Sequence, residues 1–87
     1  MKIKKGFVLR SVGGENVVVP SGEMSKTFRG MITLNNTGAF LWEYFLQEHT
    51  QEEAVEAVLA EFEATREIVE IDVARFVKVL LENGFFE

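Results

Sequence analysis

Short runs of β-favouring residues and glycine-rich turns alternate over the first part of the chain. Phe7 to Val12 and Val17 to Val19 are two such runs, and Gly13-Gly14-Glu15-Asn16 separates them. This pattern predicts a β-hairpin with a loop of about four residues. Pro20 lacks an N–H group and therefore ends the second predicted strand.

A polar connection from Ser21 to Gly30 follows the hairpin, and Phe28 within it is predicted to anchor the loop to the core. The next segment, Met31 to Leu34, is short and rich in β-formers, which predicts a third strand. Asn35 or Asn36 can cap the helix that comes next. The predicted order is therefore three strands and then helices.

Two amphipathic or apolar helices are predicted next. From Thr37 to Gln47 nearly every residue is apolar, so the first of these helices should be buried on most sides. The second opens with Thr50 and Glu53 in capping-box spacing. Its apolar residues recur at i, i+3, i+4 and i+7: Val55, Val58, Leu59 and Phe62. Its glutamates are interpreted as a solvated face without chemistry: Glu52, Glu53, Glu56 and Glu61.

A third helix is predicted from Arg66 to Asn83, ended by Gly84, after which Phe85 and Phe86 fold back. Its predicted core face consists of Val69, Val73, Phe76, Val77 and Leu80. A separate row, called here the outer row, consists of Ile68, Asp72, Arg75 and Val79, with Ile71 beside it. A merely solvated surface would be charged throughout, so the outer row is a candidate binding surface. The alternative is that Ile68 and Val79 complete a wide core.

Composition limits the chain to one domain spanning residues 1–87, because 87 residues with 47% apolar content suffice for a single core. The chain has no cysteine, which excludes disulfides and thiolate metal sites and is typical of cytosolic proteins. The charged N-terminus is not followed by an apolar run long enough for a signal peptide or a membrane span. The expected localisation is therefore cytoplasmic, without membrane association.

Side chains that would support catalysis or metal binding are missing from the sequence. His49 is the only histidine and is predicted to be an exposed loop residue. Asp72 is the only aspartate, and no serine has a plausible base near it in sequence. We therefore expect no catalytic residues, no metal site and no cofactor, and thus a protein that is not an enzyme.

Two segments resemble the PqqD-like family. Leu34-Asn35-Asn36-Thr37 is similar to the Leu-Asn-x-Thr segment that opens the first helix of that family. Asp72-Val73, Phe76, Leu80 and Gly84-Phe85 are similar to its spaced signature of Asp-hydrophobe, hydrophobe, Leu and Gly-hydrophobe. Together with the hairpin and the second helix, the likeness covers nearly the whole chain. The founding member is the pyrroloquinoline quinone biosynthesis protein D, and the fold recurs as the element that recognises precursor peptides in ribosomal peptide-modifying systems.

The resemblance implies an α+β fold, a winged helix-turn-helix with a three-stranded antiparallel N-terminal sheet followed by three helices. It also implies a non-catalytic peptide chaperone that holds a leader peptide as an added strand and presents it to a modifying enzyme such as a radical SAM protein. The implied peptide-binding residues are Met31, Ile32, Thr33, Leu34, Ile68, Ile71, Asp72, Arg75 and Val79. Residues 21–30 are longer than the corresponding connection in the quinone-cofactor proteins, and Gly38 stands where those often have alanine, so the likeness does not extend to that particular pathway.

Two other functions are compatible with the same fold. A DNA-binding winged helix is one, since residues 1–35 carry six basic against two acidic side chains. The third helix argues against DNA binding, because residues 66–83 contain three basic and four acidic side chains and are therefore net negative. The N-terminal end of this helix also has no Asn or Gln to read bases. The other is a dimerisation module that pairs two copies through a free strand edge, which the mass in gel filtration would distinguish.

Overall fold

The structure, a computed structural model, describes residues 1–27 and 30–87. Its elements are β1 (Phe7–Val12), β2 (Glu15–Pro20), α1 (Met24–Thr27), β3 (Ile32–Leu34), α2 (Asn36–Tyr44), α3 (Gln51–Glu61) and α4 (Arg66–Glu82). The strands form an antiparallel sheet in the order β1-β2-β3. This confirms the predicted α+β class with an N-terminal sheet and three longer helices, whereas the winged helix-turn-helix assignment stays a prediction. Phe28, predicted to anchor a loop, lies outside the described residues.

The hairpin turn is shorter than predicted. The strands continue to Val12 and restart at Glu15, so the loop has two residues, Gly13 and Gly14, and not about four. Both glycines have positive φ angles, 57° and 83°, as a type I′ turn requires. Two adjacent glycines adopt this conformation without a Cβ clash, so β1 ends at Val12 as predicted and β2 begins at Glu15, two residues earlier than predicted.

The connection between β2 and β3 was expected to be an irregular polar loop and instead contains the single helical turn α1. The carbonyl groups of Ser21 and Gly22 accept hydrogen bonds from the N–H groups of Met24 and Ser25 at 3.1 and 3.2 Å. The Ser25 hydroxyl also donates to the Gly22 carbonyl at 2.7 Å. These local bonds form a turn too short to leave an apolar periodicity in the sequence, which is why the pattern did not predict it.

The core lies between the sheet and the three longer helices. Leu41, Trp42 and Phe45 are buried, although α2 ends at Tyr44 and not at Gln47 as predicted. All five residues of the predicted core face of α4 are buried, and so are Phe85 and Phe86 after Gly84, whose φ is 73°. No helix in residues 1–27 and 30–87 has the length and apolarity that crossing a membrane requires.

The segment before β1 belongs to this core, which the sequence pattern did not indicate. Ile3 is buried, its N–H group donates to the Phe45 carbonyl at 2.8 Å, and it forms an isolated antiparallel bridge with Phe86. A single apolar residue among lysines has no periodicity. Its burial depends on the return of the C-terminal residues to the same place, which is a long-range contact.

His49 lies in the loop between α2 and α3 as predicted, but it is partly buried, so the prediction that it is exposed is wrong. Its ring stacks on that of Tyr44, with ring centres 3.8 Å apart, and its Nδ1 lies 3.5 Å from Glu53 Oε1. The sequence pattern around a single histidine in a polar segment did not indicate that Tyr44 of α2 would stack on it. Burial, with a smaller contribution from the Glu53 carboxylate, raises the pKa of the Tyr44 hydroxyl.

The predicted capping box at the start of α3 is confirmed. The Glu53 N–H donates to Thr50 Oγ1 at 3.1 Å, and the Thr50 N–H donates to Glu53 Oε1 at 2.8 Å. The backbone hydrogen bond from Thr50 is the main cause that lowers the pKa of the Glu53 carboxyl below its ordinary value of 4.5, and the His49 ring lowers it further against opposing desolvation.

We predict that Glu53→Ala lowers the melting temperature by a few degrees at pH 7 and has less effect in acid. The pKa of Glu53 is lowered in the folded state, so the Glu53 carboxylate stabilises the fold fully above about pH 4.5. This stabilisation is lost as the pH falls through the folded-state pKa. Thermal melts of both proteins from about pH 7 to pH 3 measure this. Glu52→Ala, one residue away, is the matched control, and an equal, pH-independent loss in both variants would contradict the role of the capping box.

Candidate functional site

A groove of about 350 Å³ lies between β3 and α4, with the beginning of α2 beside it. Three elements supply its lining: the end of β3, the first turns of α2 and one side of α4. The lining residues are Thr33, Leu34, Asn35, Thr37, Gly38, Leu41, Asp72, Arg75, Phe76, Val79 and Leu80. The groove therefore combines a strand edge with a helix face.

The floor of the groove is apolar. Leu41 of α2 and Phe76 and Leu80 of α4 are buried side chains that also belong to the core. Val79 stands above them and is 45% exposed. An apolar ligand side chain placed here would leave water for a preformed packed surface, which is the usual source of affinity in such a site.

The rim of the groove on α4 is charged. Asp72 and Arg75 are both exposed, and within residues 1–27 and 30–87 neither side chain has a hydrogen bond or an ion pair. Arg66 at the start of the same helix differs, because its Nη2 lies 2.6 Å from Glu56 Oε2. A ligand could therefore engage Arg75 without first breaking an internal ion pair, which lowers the cost of binding.

The third strand lies at the edge of the sheet, and the hydrogen-bonding register identifies the groups that it presents there. The Ser21 N–H donates to the Gly6 carbonyl at 2.8 Å, one pair beyond Phe7 and Pro20. In antiparallel ladders, hydrogen-bonded and non-hydrogen-bonded pairs alternate. Pro20, which has no N–H, thus occupies a non-hydrogen-bonded pair, as its chemistry demands.

The same alternation continues along β2 into its pairing with β3. Val17 directs its backbone groups at β1, so its neighbour Val18 directs them at β3, where it pairs with Ile32. Ile32 and Leu34 therefore bond to β2, and Thr33 between them directs both its N–H and its C=O away from the sheet. Thr33 is the residue of β3 whose backbone groups are available at the free edge.

Five of the nine predicted site residues come together in the groove: Thr33, Leu34, Asp72, Arg75 and Val79. The other four do not line it: Met31, Ile32, Ile68 and Ile71. Met31 precedes the strand and is 66% exposed, and the Ile32 side chain packs against the core. Their participation in binding stays a prediction.

The wide-core interpretation of the outer row does not agree with the structure. Ile68 and Val79 are 56% and 45% exposed, and Ile71 beside them is 49% exposed. These three large apolar side chains are therefore exposed and do not complete the core. Ile68 and Ile71 are one turn apart and form a small exposed apolar pair near the N-terminal end of α4. Asp72 and Arg75 separate this pair from Val79, so the exposed side of α4 carries both apolar and charged residues.

The sequence did not indicate the groove floor, because Leu41, Phe76 and Leu80 were interpreted only as core residues. It also did not indicate that the first turn of α2 lines the groove. The cap of this helix was predicted and is confirmed, since Asn35 Oδ1 accepts the Gly38 N–H at 2.7 Å. A Cβ on Gly38 would lie 3.2 Å from Leu34 Cβ and from Asn35 Oδ1, which is tight. The sequence feature that could have indicated this part of the groove is the segment from Leu34 to Gly38, because the helix cap in it directly follows the edge strand.

Solved structures with this fold include two complexes. TbiB1 in complex with the TbiA(beta) leader peptide is 25% identical, with a TM-score of 0.73, and the match covers 100% of this chain and 95% of that one. Lasso peptide synthetase B1 complexed with the leader peptide is 23% identical, with a TM-score of 0.69, and the match covers 95% and 92%. No curated protein sequence matches the chain. Residues 15–85 match the family described as Coenzyme PQQ synthesis protein D (PqqD), and the chain therefore belongs to the PqqD family.

Proposed function

We propose that this protein binds the leader region of a ribosomally made precursor peptide as a strand added to β3 and presents it, without catalysis, to a modifying enzyme. The observation that carries the proposal is the groove itself, in which a free strand edge and an apolar helix face meet. Strand addition uses backbone groups for affinity and side-chain pockets for specificity, and this groove offers both.

The two structural neighbours support the proposal, because each was solved with a leader peptide bound. The likeness to TbiB1 covers the whole of this chain, including β3 and α4. Membership of the PqqD family supports the same class of function. The residues of this chain give it an independent basis, since three members of the outer row line the same groove as Thr33 and Leu34 of β3.

The expected affinity is moderate. Thr33 provides about two backbone hydrogen bonds at ~1 kcal/mol each, and two apolar side chains in the groove contribute ~2 kcal/mol each. Ordering the peptide offsets part of this gain, and a charged contact at the rim adds to it. With these two opposing terms roughly equal, a net gain of about 6 kcal/mol corresponds to a dissociation constant of tens of micromolar, which permits capture and later release to the enzyme.

The proposal places the protein in the cytoplasm, where ribosomes release the precursor. The enzyme that receives the peptide would be encoded nearby, and a radical SAM protein is the class that we propose first. The same free edge would permit a homodimer. Gel-filtration mass measured with and without peptide tests this, because a dimer that uses β3 should dissociate as the peptide binds.

We predict that a synthetic leader of about twenty residues, taken from a precursor gene adjacent to this one, binds in calorimetric titration, whereas duplex DNA does not. DNA affinity depends mainly on phosphate neutralisation, and α4 carries three basic against four acidic side chains. Fluorescence anisotropy with a labelled random duplex at low salt is the matched measurement. Salt-sensitive binding of the duplex, with no response to the leader, would overturn the proposed function.

A further inference from the structure

The register of β3 constrains how a bound peptide must be arranged. This inference rests on the proposed function and deepens it by identifying the class of peptide. We infer that the ligand is an extended segment that pairs with Thr33 and carries two apolar side chains separated by one residue, both of which enter the groove. The residue between them lies opposite Thr33 and has no apolar requirement.

The sheet has an inner face and an outer face. Leu9, Val18 and Ile32 stand opposite one another in the register, and all three pack in or against the core. They define an inner face, to which Leu34 also belongs because successive side chains alternate. Thr33 stands opposite Val17 on the other face and is exposed.

A peptide strand added beside β3 continues this alternation of side chains. A peptide residue directly opposite Thr33 projects its side chain to the same outer face as Thr33. The residues before and after it then project to the inner face, which is the side of Leu34 and of the groove floor. This result holds for parallel and antiparallel addition alike, because side-chain alternation does not depend on strand direction.

The length of the groove limits how many peptide side chains it can hold. The part of α4 that lines the groove runs from Asp72 to Leu80, which is about 12 Å along the helix axis. Two side chains on one face of a strand are about 6.6 Å apart, so two fit along the groove and a third would reach its end. The floor that they would contact is apolar, as provided by Leu41, Phe76 and Leu80.

Apolar pairs with other spacings fit this geometry less well. Adjacent apolar residues would place one side chain in the groove and the other on the outer face beside Thr33. Apolar residues three or four apart suit a helix, and a helix in the groove would leave the Thr33 N–H and C=O without partners. The spacing in a bound peptide therefore separates strand addition from helix docking.

The experiment uses the full chain and a displayed library of random twelve-residue peptides. We expect enriched peptides to share two apolar residues separated by one variable residue. The most enriched peptide is then synthesised together with an isomer in which one of these apolar residues is exchanged with the residue between them. The isomer should bind at least about tenfold more weakly, because it can bury only one of the two side chains.

Amide hydrogen exchange, followed by NMR, supplies a readout on the protein. Binding of the selected peptide should slow exchange at the Thr33 amide strongly, while the Ile32 and Leu34 amides, already directed at β2, change little. Enriched peptides with a spacing of three or four, or an unprotected Thr33 in the complex, would overturn the inference and leave peptide binding standing. Enrichment of no peptide at all would overturn both the inference and the proposed function.

Discussion

Thr33→Pro should weaken leader-peptide binding at least about tenfold while the fold persists. The Thr33 N–H points away from the sheet, so proline removes a donor that the protein itself does not use. In the complex, the same change deletes a backbone hydrogen bond, and the pyrrolidine ring obstructs close approach of the added strand. Calorimetric titration gives the affinity, and thermal denaturation shows whether the sheet is intact.

Thr33→Val is the matched control for that change. Valine retains the backbone N–H, has nearly the shape of threonine and favours strands, and the altered hydroxyl lies on the outer face. We expect its affinity to equal that of the wild type. If Thr33→Pro keeps its thermal transition and also binds normally, the peptide does not pair with β3, and the apolar surface of α4 must account for binding without strand addition.

The helices illustrate which parts of the fold the sequence determines locally. The capping box of Thr50 and Glu53 and the cap at Asn35 were predictable, because each depends on residues three apart in the chain. The five core residues of α4 followed from the helical period, since one uniform face was apolar. Such local rules do not predict which residues of another helix or strand pack against a given helix.

The omissions and errors arose where contacts with other elements or an unusual backbone conformation decide the outcome. Ile3 is buried because Phe45 and Phe86 meet it, and His49 is partly buried because Tyr44 stacks on it. The turn at Gly13 was misjudged because two consecutive positive φ angles shorten the loop and let β2 begin at Glu15. Each case depends on a contact or a backbone conformation that hydrophobic periodicity does not encode.

The candidate site was predictable in part for the same reasons. The outer row was visible as surplus apolar residues on α4, and Thr33 and Leu34 were visible as a short strand. The floor was not, because Leu41 and Phe76 serve the core and the groove at once, and burial in one role conceals the other. The outward direction of Thr33 could be assigned only after the register was known.

Arg75→Glu should leave the free energy of unfolding within about 0.5 kcal/mol and reduce leader-peptide affinity by about 1 to 3 kcal/mol. Arg75 lines the rim of the groove, and within the described ranges its guanidinium has no ion pair to lose on mutation. A leader carboxylate beside the groove would be its partner, and reversal of the charge turns an attraction at a partly desolvated contact into a repulsion. The loss should diminish as salt is added.

Lys78→Glu is the matched control, because it makes the same change of charge on the same helix at an exposed residue that does not line the groove. A charge reversal at Glu56 on α3 would be unsuitable as a control, since it would break the ion pair between Glu56 and Arg66. Calorimetric titration of wild type, Arg75→Glu and Lys78→Glu with one leader peptide separates a local contact from a general effect of net charge. Equal losses in both variants would indicate long-range repulsion of an acidic leader, and unchanged affinity in Arg75→Glu would remove Arg75 from the site and leave the Thr33 edge and the apolar floor as its basis.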